Sequence, residues 1–178
     1  MTRLLVLGLL DEGPMSGYAL QQKLQGADAE RWGGVLTGSI YHALKKLEEE
    51  GQIALAGVEH TGHRQKAVYR ITEQGRGYLR RLLLDALRVP DVPYPTTLYS
   101  GLSLLDKVPR AEARRALEER QRLLEEELAG LERGERSNEG RQVPAISRLT
   151  IGHMFATIRL QMDFVAGLLA ALEQEEEP

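Results

Sequence analysis

The sequence predicts a mainly α-helical protein with one small β-hairpin. Apolar residues recur at helical spacing along most of the 178 residues. Only residues 53–72 are rich in β-forming residues on both sides of a short turn. Three prolines within residues 90–97 prevent a helix or a central strand from continuing there. We therefore predict two domains, residues 1–89 and residues 98–178, joined by a Pro-rich connector.

Composition excludes several classes of function. The chain has no cysteine, which excludes disulfides, thiolate zinc sites and thiol nucleophiles. Its N-terminus lacks the pattern of a secretory signal. The longest apolar region, residues 151–172, is interrupted by Arg159 and Asp163, which favours a core or interface helix over a membrane span. We therefore expect a cytoplasmic protein without a membrane partner, a metal or a cofactor.

The formal net charge of -3 is unevenly distributed along the chain. Residues 1–89 carry 12 Lys and Arg against 10 Asp and Glu, whereas residues 90–178 carry 11 against 16. A weakly basic half joined to an acidic half is compatible with a nucleic-acid-binding module next to a domain with another role.

Two helices and a loop are predicted in the first 36 residues. The apolar run at residues 3–10 indicates a buried first helix. Ser16 is a candidate N-cap for a second helix at residues 17–24, whose N-terminal amides suit a phosphate. The loop that follows contains Trp32, the only tryptophan. This residue is either structural packing or part of an effector pocket formed with the C-terminal helices.

A third helix is predicted from Thr37, its candidate N-cap, to Gly51, where a left-handed residue ends it. An apolar stripe along it packs on the other helices, and this order of elements is that of a helix-turn-helix unit. Its other faces carry Ser39, Tyr41, His42, Lys45 and Lys46. Small polar groups followed by lysines suit a DNA groove, although a solvated face has the same composition.

The hairpin follows this helix as a wing. Residues 53–59 and 66–72 are predicted strands, and Gly62 supplies the turn between them. The tip carries His60, His63, Arg64 and Lys66. Such donors and cations suit a minor groove or backbone phosphates, and the alternative is a solvated turn with incidental charge. The two histidines lack a third ligand nearby, so we expect no metal site.

The rest of the chain is predicted to be helical. Thr72 caps a helix through Leu87, which Gly75 and Gly77 weaken near its start. After the connector we expect a short helix at residues 96–108 and a long one that starts at Pro109.

The last helix has two apolar lines. Seven residues alternate in steps of four and three, which predicts a packing seam of three heptads. They are Ile151, Phe155, Ile158, Met162, Val165, Leu169 and Leu172. A second line beside it contains Leu160, Phe164 and Leu168. One antiparallel helix of the same chain covers a single line, so we predict a homodimer with the seven-residue line at its interface.

Four segments resemble the PadR family of bacterial transcriptional regulators, which are winged helix-turn-helix proteins. They are LLVLGLL at residues 4–10, GPMSGYAL at 13–20, GSIYHALKKLEEEGQI at 38–53 and VYRITEQG at 68–75. The resemblance implies that Tyr41 lies on DNA and that Lys45 occupies a basic position. The alternative for Tyr41 is a core filler. His42 stands where many relatives have Pro. The C-terminal region resembles the dimerisation region of members related to the phenolic-acid repressor.

These observations predict a sequence-specific DNA-binding regulator, a homodimeric repressor of a pseudo-palindromic operator that a small-molecule effector releases. The candidate DNA-binding residues are Ser16, Tyr18, Thr37, Ser39, Tyr41, His42, Lys45, Lys46, His63, Arg64 and Lys66. One alternative is a winged-helix module that binds protein, and another is a small-molecule carrier or enzyme in the helical half. No phosphate loop, HExxH or GxSxG motif supports an enzyme.

Overall fold

The computed structural model describes residues 1–61, 64–90, 92, 94–136 and 143–174. The chain divides into two compact units, Met1–Val92 and Pro93–Pro178. The first unit contains helices α1 (Thr2–Glu12), α2 (Gly17–Gly26), α3 (Ala29–Gly33), α4 (Thr37–Glu49) and α5 (Glu73–Arg88), and strands β1 (Met15–Ser16), β2 (Ile53–Thr61) and β3 (Arg64–Ile71). The second contains α6 (Thr96–Leu102), a 3₁₀ turn (Leu105–Lys107), α7 (Arg110–Arg136) and α8 (Ala145–Gln174). The mainly α fold with a small hairpin is confirmed.

The core of the first unit lies between α1, α2 and α4. Leu7 of α1, Leu20 of α2 and Leu47 of α4 are completely buried there. Ser16 caps α2 as predicted, because its hydroxyl accepts a hydrogen bond from the amide of Ala19 at 3.3 Å. The periodic apolar positions of the three helices thus pack into one core. One face of α4 belongs to this core, and its opposite face is exposed.

The sheet has three antiparallel strands in the order β1-β3-β2. The sequence predicted only β2 and β3, which are both longer than expected at the tip of the wing. In β1, Met15 pairs with Tyr69 and Ser16 pairs with Val68 of β3. This pairing fixes the start of α2 against the wing.

Two local predictions between α2 and α4 were wrong. Trp32 lies in the short helix α3, which is bounded by left-handed backbone at Asp28 and Gly34. Thr37 is the first residue of α4 rather than its N-cap, and the N-cap is Leu36. At the other end of α4 the left-handed Gly51 is confirmed, with a φ of 71°.

The first turn of α5 packs closely on Gln52, the residue before the first strand of the wing. Thr72 caps this helix by accepting a hydrogen bond from the amide of Gly75 at 3.0 Å. A Cβ atom at Gly75 would lie 2.0 Å from the carbonyl oxygen of Gln52. Gly75, expected only to weaken the helix, is therefore required for this contact.

The second unit is built on the antiparallel pair α7 and α8. Arg114 near the start of α7 forms a salt bridge of 3.1 Å with Glu173 at the end of α8. Ala113, Leu117, Val165 and Leu172 form the small buried core between them. Helix α8 is long enough to cross a membrane, and an 18-residue stretch of it is apolar enough. Core helices of soluble proteins meet the same conditions, so composition alone does not make α8 a membrane span.

Candidate nucleic-acid interface

A groove of about 500 Å³ lies between α4 and β3 on the first unit. It is lined by Ser16, Gly17, Tyr18, Tyr41, Leu44, Lys45, Glu48, Lys66, Ala67 and Tyr69. Five of the predicted DNA-binding residues thus share one groove, although they come from three segments of the chain: Ser16, Tyr18, Tyr41, Lys45 and Lys66.

Lys66 and Tyr18 connect the wing to the start of α2. The ammonium nitrogen of Lys66 lies 4.2 Å from the centroid of the half-exposed Tyr18 ring. A cation at this distance is attracted by the electron-rich face of the ring. The contact holds Lys66 at the edge of the groove.

Tyr41 rests on the first residue of α2. A Cβ atom at Gly17 would lie 2.8 Å from Cε1 of Tyr41, so only glycine leaves room for the ring as it stands. The Tyr41 side chain is 48% exposed, and it lines the groove instead of filling the core. Gly17 therefore sets the position of a predicted DNA-binding side chain.

The two neighbouring lysines of α4 have different surroundings. Lys46 forms a salt bridge of 2.8 Å with Glu49. The hydrogen bond from Lys46 lowers the pKa of Glu49, and the same bond raises the pKa of Lys46. Lys45 lines the groove and forms no salt bridge within the described part of the chain. Of the two lysines, Lys45 is therefore the one placed to meet an anion in the groove.

Glu48 adds a negative charge to the same groove. Burial raises the pKa of the Tyr69 hydroxyl, and the nearby charge of Glu48 raises it further. Both effects favour the neutral hydroxyl of Tyr69, which can donate a hydrogen bond. Sequence reasoning missed both residues. The spacing of Glu48 three residues after Lys45 was visible, whereas the place of Tyr69 depends on the register of the sheet.

At the front of α4, the Ser39 hydroxyl is engaged within the protein. It donates to the carbonyl oxygen of Leu36 at 2.6 Å and accepts from the Thr2 hydroxyl at 3.3 Å. Its hydrogen is therefore not free for a DNA acceptor in this conformation. Thr37 and His42 lie exposed on the same helix.

Three further predicted residues lie elsewhere in the chain. His63 falls outside the described residues, as does the turn residue Gly62, and the side chain of Arg64 is likewise not described. Trp32 is half-exposed, and its indole nitrogen donates to the carbonyl oxygen of Ala27 at 2.7 Å. That bond fixes the ring and leaves part of its surface open.

The predicted interface line of α8 is partly occupied by the chain itself. Phe155, Val165 and Leu172 are buried, and the last two pack in the core shared with α7. The remaining members of the line are only partly buried: Ile151, Ile158, Met162 and Leu169. Part of this regular line thus packs against α7, and its role as a dimer interface stays a prediction.

In the second line of α8, Leu160 and Phe164 are open in the single chain, whereas Leu168 packs against the core shared with α7. Leu160 is 70% exposed, Phe164 is partly exposed, and Ile146 and Leu149 near the start of the helix are exposed as well. The Phe164 ring meets the Tyr99 ring edge to face, with centroids 6.1 Å apart. These residues form an apolar surface that the described residues of the second unit leave uncovered.

A packed three-helix body, a hairpin wing and a groove with lysines on both walls define a winged-helix DNA-binding protein. Residues 6–81 match the model of the transcriptional regulator PadR-like family. The match covers most of the first unit, which therefore contains a PadR-like domain of the kind found in transcriptional regulators. Because the family is regulatory, the expectation that the chain is not an enzyme is confirmed.

Solved structures of similar proteins share the fold over nearly the whole chain. Bacillus subtilis PadR in complex with operator DNA is 20% identical, with 96% of this chain and 98% of that chain covered and a TM-score of 0.74. The same protein in complex with p-coumaric acid is 18% identical, with 96% and 94% covered and a TM-score of 0.72. The Vibrio cholerae virulence activator AphA is 18% identical, with 98% and 99% covered and a TM-score of 0.74. No curated protein sequence matches the chain.

Proposed function

We propose that the protein is a cytoplasmic, homodimeric repressor that binds a pseudo-palindromic operator through its first unit. Residues 1–89 form the DNA-binding domain, residues 90–97 the connector and residues 98–178 the dimerisation domain. The observation that carries this proposal is the groove between α4 and the wing, with Lys45 on one wall and Lys66 on the other.

The groove suits the DNA strand that separates a major groove from the neighbouring minor groove. When α4 enters the major groove and the wing reaches the minor groove, that strand passes between them. Lys45 and Lys66 then neutralise phosphates from opposite sides, and Tyr18 and Tyr41 donate hydrogen bonds to the backbone. Thr37 and His42 face the base edges from the exposed front of α4.

A second copy of the chain covers the open apolar line of α8. Exposed leucine and phenylalanine side chains gain roughly 1.5–3 kcal/mol each when they are fully buried. Pairing two copies through this line gives a two-fold axis, and the operator half-sites then lie about one helical turn apart.

A small molecule controls this repressor by changing the spacing of its two DNA-binding domains. Support for this step comes from Bacillus subtilis PadR, which has been solved in complex with p-coumaric acid. We place Trp32 in the effector pocket, because its ring is fixed by one hydrogen bond while half of its surface stays open.

Selection of duplexes from a random library tests the proposal without knowledge of the operator. The purified protein should enrich a sequence with two inverted half-sites about 10 base pairs apart. Lys45→Met should weaken binding of that duplex by about tenfold, as expected for a phosphate contact of ~1.4 kcal/mol. The neighbouring Lys46→Met serves as the control and should change binding less. A library without any enriched sequence contradicts the proposal.

A further inference from the structure

Leu36 is an exposed leucine at the N-terminus of the helix that we place in the major groove. It is the N-cap residue of α4, and 58% of its surface is exposed. Its neighbour Val35 is buried, so the chain turns outward between these two residues. Leu36 lies outside the hydrophobic core formed by the described residues of its unit. Its side chain is therefore available for contact with a partner.

The backbone around Leu36 is held at several points. The carbonyl oxygen of Leu36 accepts hydrogen bonds from the Ser39 amide at 2.9 Å and from the Ser39 hydroxyl at 2.6 Å. The Val35 amide donates to the carbonyl oxygen of Ala29 at 3.2 Å. The Leu36 side chain thus starts from a fixed backbone, and little backbone entropy is lost when it contacts a partner.

The residues after Leu36 leave space for close approach. Gly38 is exposed, and a Cβ atom built on it would meet nothing within 4 Å. The Ser39 hydroxyl donates its hydrogen to the carbonyl oxygen of Leu36. The front of α4 therefore presents the apolar side chain of Leu36 and the open backbone of Gly38 beside the hydroxyl of Thr37.

We propose that Leu36 determines specificity by packing on the methyl group of a thymine in each half-site. This inference rests on the proposed function. The N-terminal residues of a recognition helix contact base edges, and the thymine methyl is the apolar group that the major groove offers to them. Leu36 thus reads thymine through burial of apolar surface instead of hydrogen bonding.

Uracil substitution removes only that methyl group and tests the contact directly. Each thymine of the selected duplex is replaced in turn by deoxyuridine, and the dissociation constant is measured. For the unsubstituted protein we expect about a fourfold loss at one or two positions in each half-site, since burial of a methyl-sized group contributes ~0.8 kcal/mol.

Variants connect the loss to Leu36. Leu36→Ala should bind the thymine and uracil duplexes equally at those positions, whereas Leu36→Met should keep the preference because it stays apolar. Leu87→Ala, which shortens another exposed leucine at the end of α5, serves as the control and should keep the full preference. Thermal unfolding of Leu36→Ala should match that of the unsubstituted protein.

Two results have separate meanings. If a specific duplex is selected but no position responds to uracil, or Leu36→Ala keeps the same response, the role of Leu36 is overturned while the proposed function stands. If no specific duplex is selected, the proposed function itself fails, and the role of Leu36 with it.

Discussion

The ammonium of Lys66 lies over the ring of Tyr18, 4.2 Å from its centroid. Lys66 belongs to β3, and Tyr18 is the second residue of α2. The pairing of β1 with β3 brings these residues together. One cation–π contact therefore fixes the wing lysine at the groove that we assign to DNA.

The first prediction separates the charge of Lys66 from its position. Lys66→Met should weaken DNA binding and reduce the log-log salt slope by about one, because one phosphate contact is lost. Tyr18→Leu should weaken binding less and leave the slope unchanged, since the lysine charge remains. Fluorescence anisotropy at several salt concentrations measures both quantities. An unchanged slope in Lys66→Met contradicts a phosphate contact.

The second prediction concerns the packing of the Tyr41 ring on Gly17. Gly17→Ala places a methyl group 2.8 Å from the present position of the Tyr41 ring and should displace it. We expect DNA binding to fall by about tenfold, or ~1.4 kcal/mol, with only a small change in unfolding temperature. Gly8→Ala in α1, where a Cβ meets nothing within 4 Å, is the matched control and should leave DNA binding intact. Equal affinities of the two variants would show that Tyr41 does not depend on Gly17.

The third prediction uses two glycines of α5. Gly75→Ala should destabilise the first unit by about 1–3 kcal/mol or more, because its Cβ would overlap the carbonyl oxygen of Gln52. Gly77→Ala has open space and should stabilise the helix by up to ~1 kcal/mol. Urea unfolding of the two variants gives the comparison. If both substitutions change the free energy of unfolding in the same direction, the close contact between Gly75 and Gln52 is contradicted.

The fourth prediction assigns a restraining role to Glu48. Its carboxylate lines the groove and repels the phosphates of any DNA that enters it, whatever the base sequence. Glu48→Gln should raise affinity for an unrelated duplex at low salt by about fivefold, as expected for ~1 kcal/mol between unit charges about 4 Å apart in water. Glu30→Gln in α3 makes the same change in net charge away from the groove. If both variants raise the affinity for the unrelated duplex equally, the change in net charge explains the result and the specific role of Glu48 is contradicted.

The fifth prediction distinguishes the two apolar lines of α8. Leu160→Glu should yield folded monomers, since this side chain is exposed in the single chain. Val165→Glu should instead unfold the second unit, because Val165 is fully buried against α7. Light scattering and circular dichroism separate these outcomes. A Leu160→Glu protein that remains a stable dimer would place the interface elsewhere.

The sequence predicted features that depend on local chemistry. The helix starts at Ser16 and Thr72 were correct because each hydroxyl bonds to an amide three residues along the chain. The left-handed end at Gly51 was also correct, because the adjacent backbone alone decides it.

Features that depend on distant partners were missed. The two-residue strand β1 has no signal of its own and exists because it pairs with β3. The heptad line of α8 was visible in the sequence, but periodicity does not tell whether α7 or a second chain covers it. Likewise, Leu36 looked like a loop residue until the N-cap of α4 was located there.

Anisotropy of the protein with its own upstream DNA and with an unrelated duplex of equal length tests the central proposal most directly. We expect tight binding of the upstream duplex alone, with a log-log salt slope of roughly -5 to -9 from about 6 to 10 phosphate contacts. Weak and equal binding of both duplexes, at every salt concentration, would contradict sequence-specific binding to its own upstream DNA.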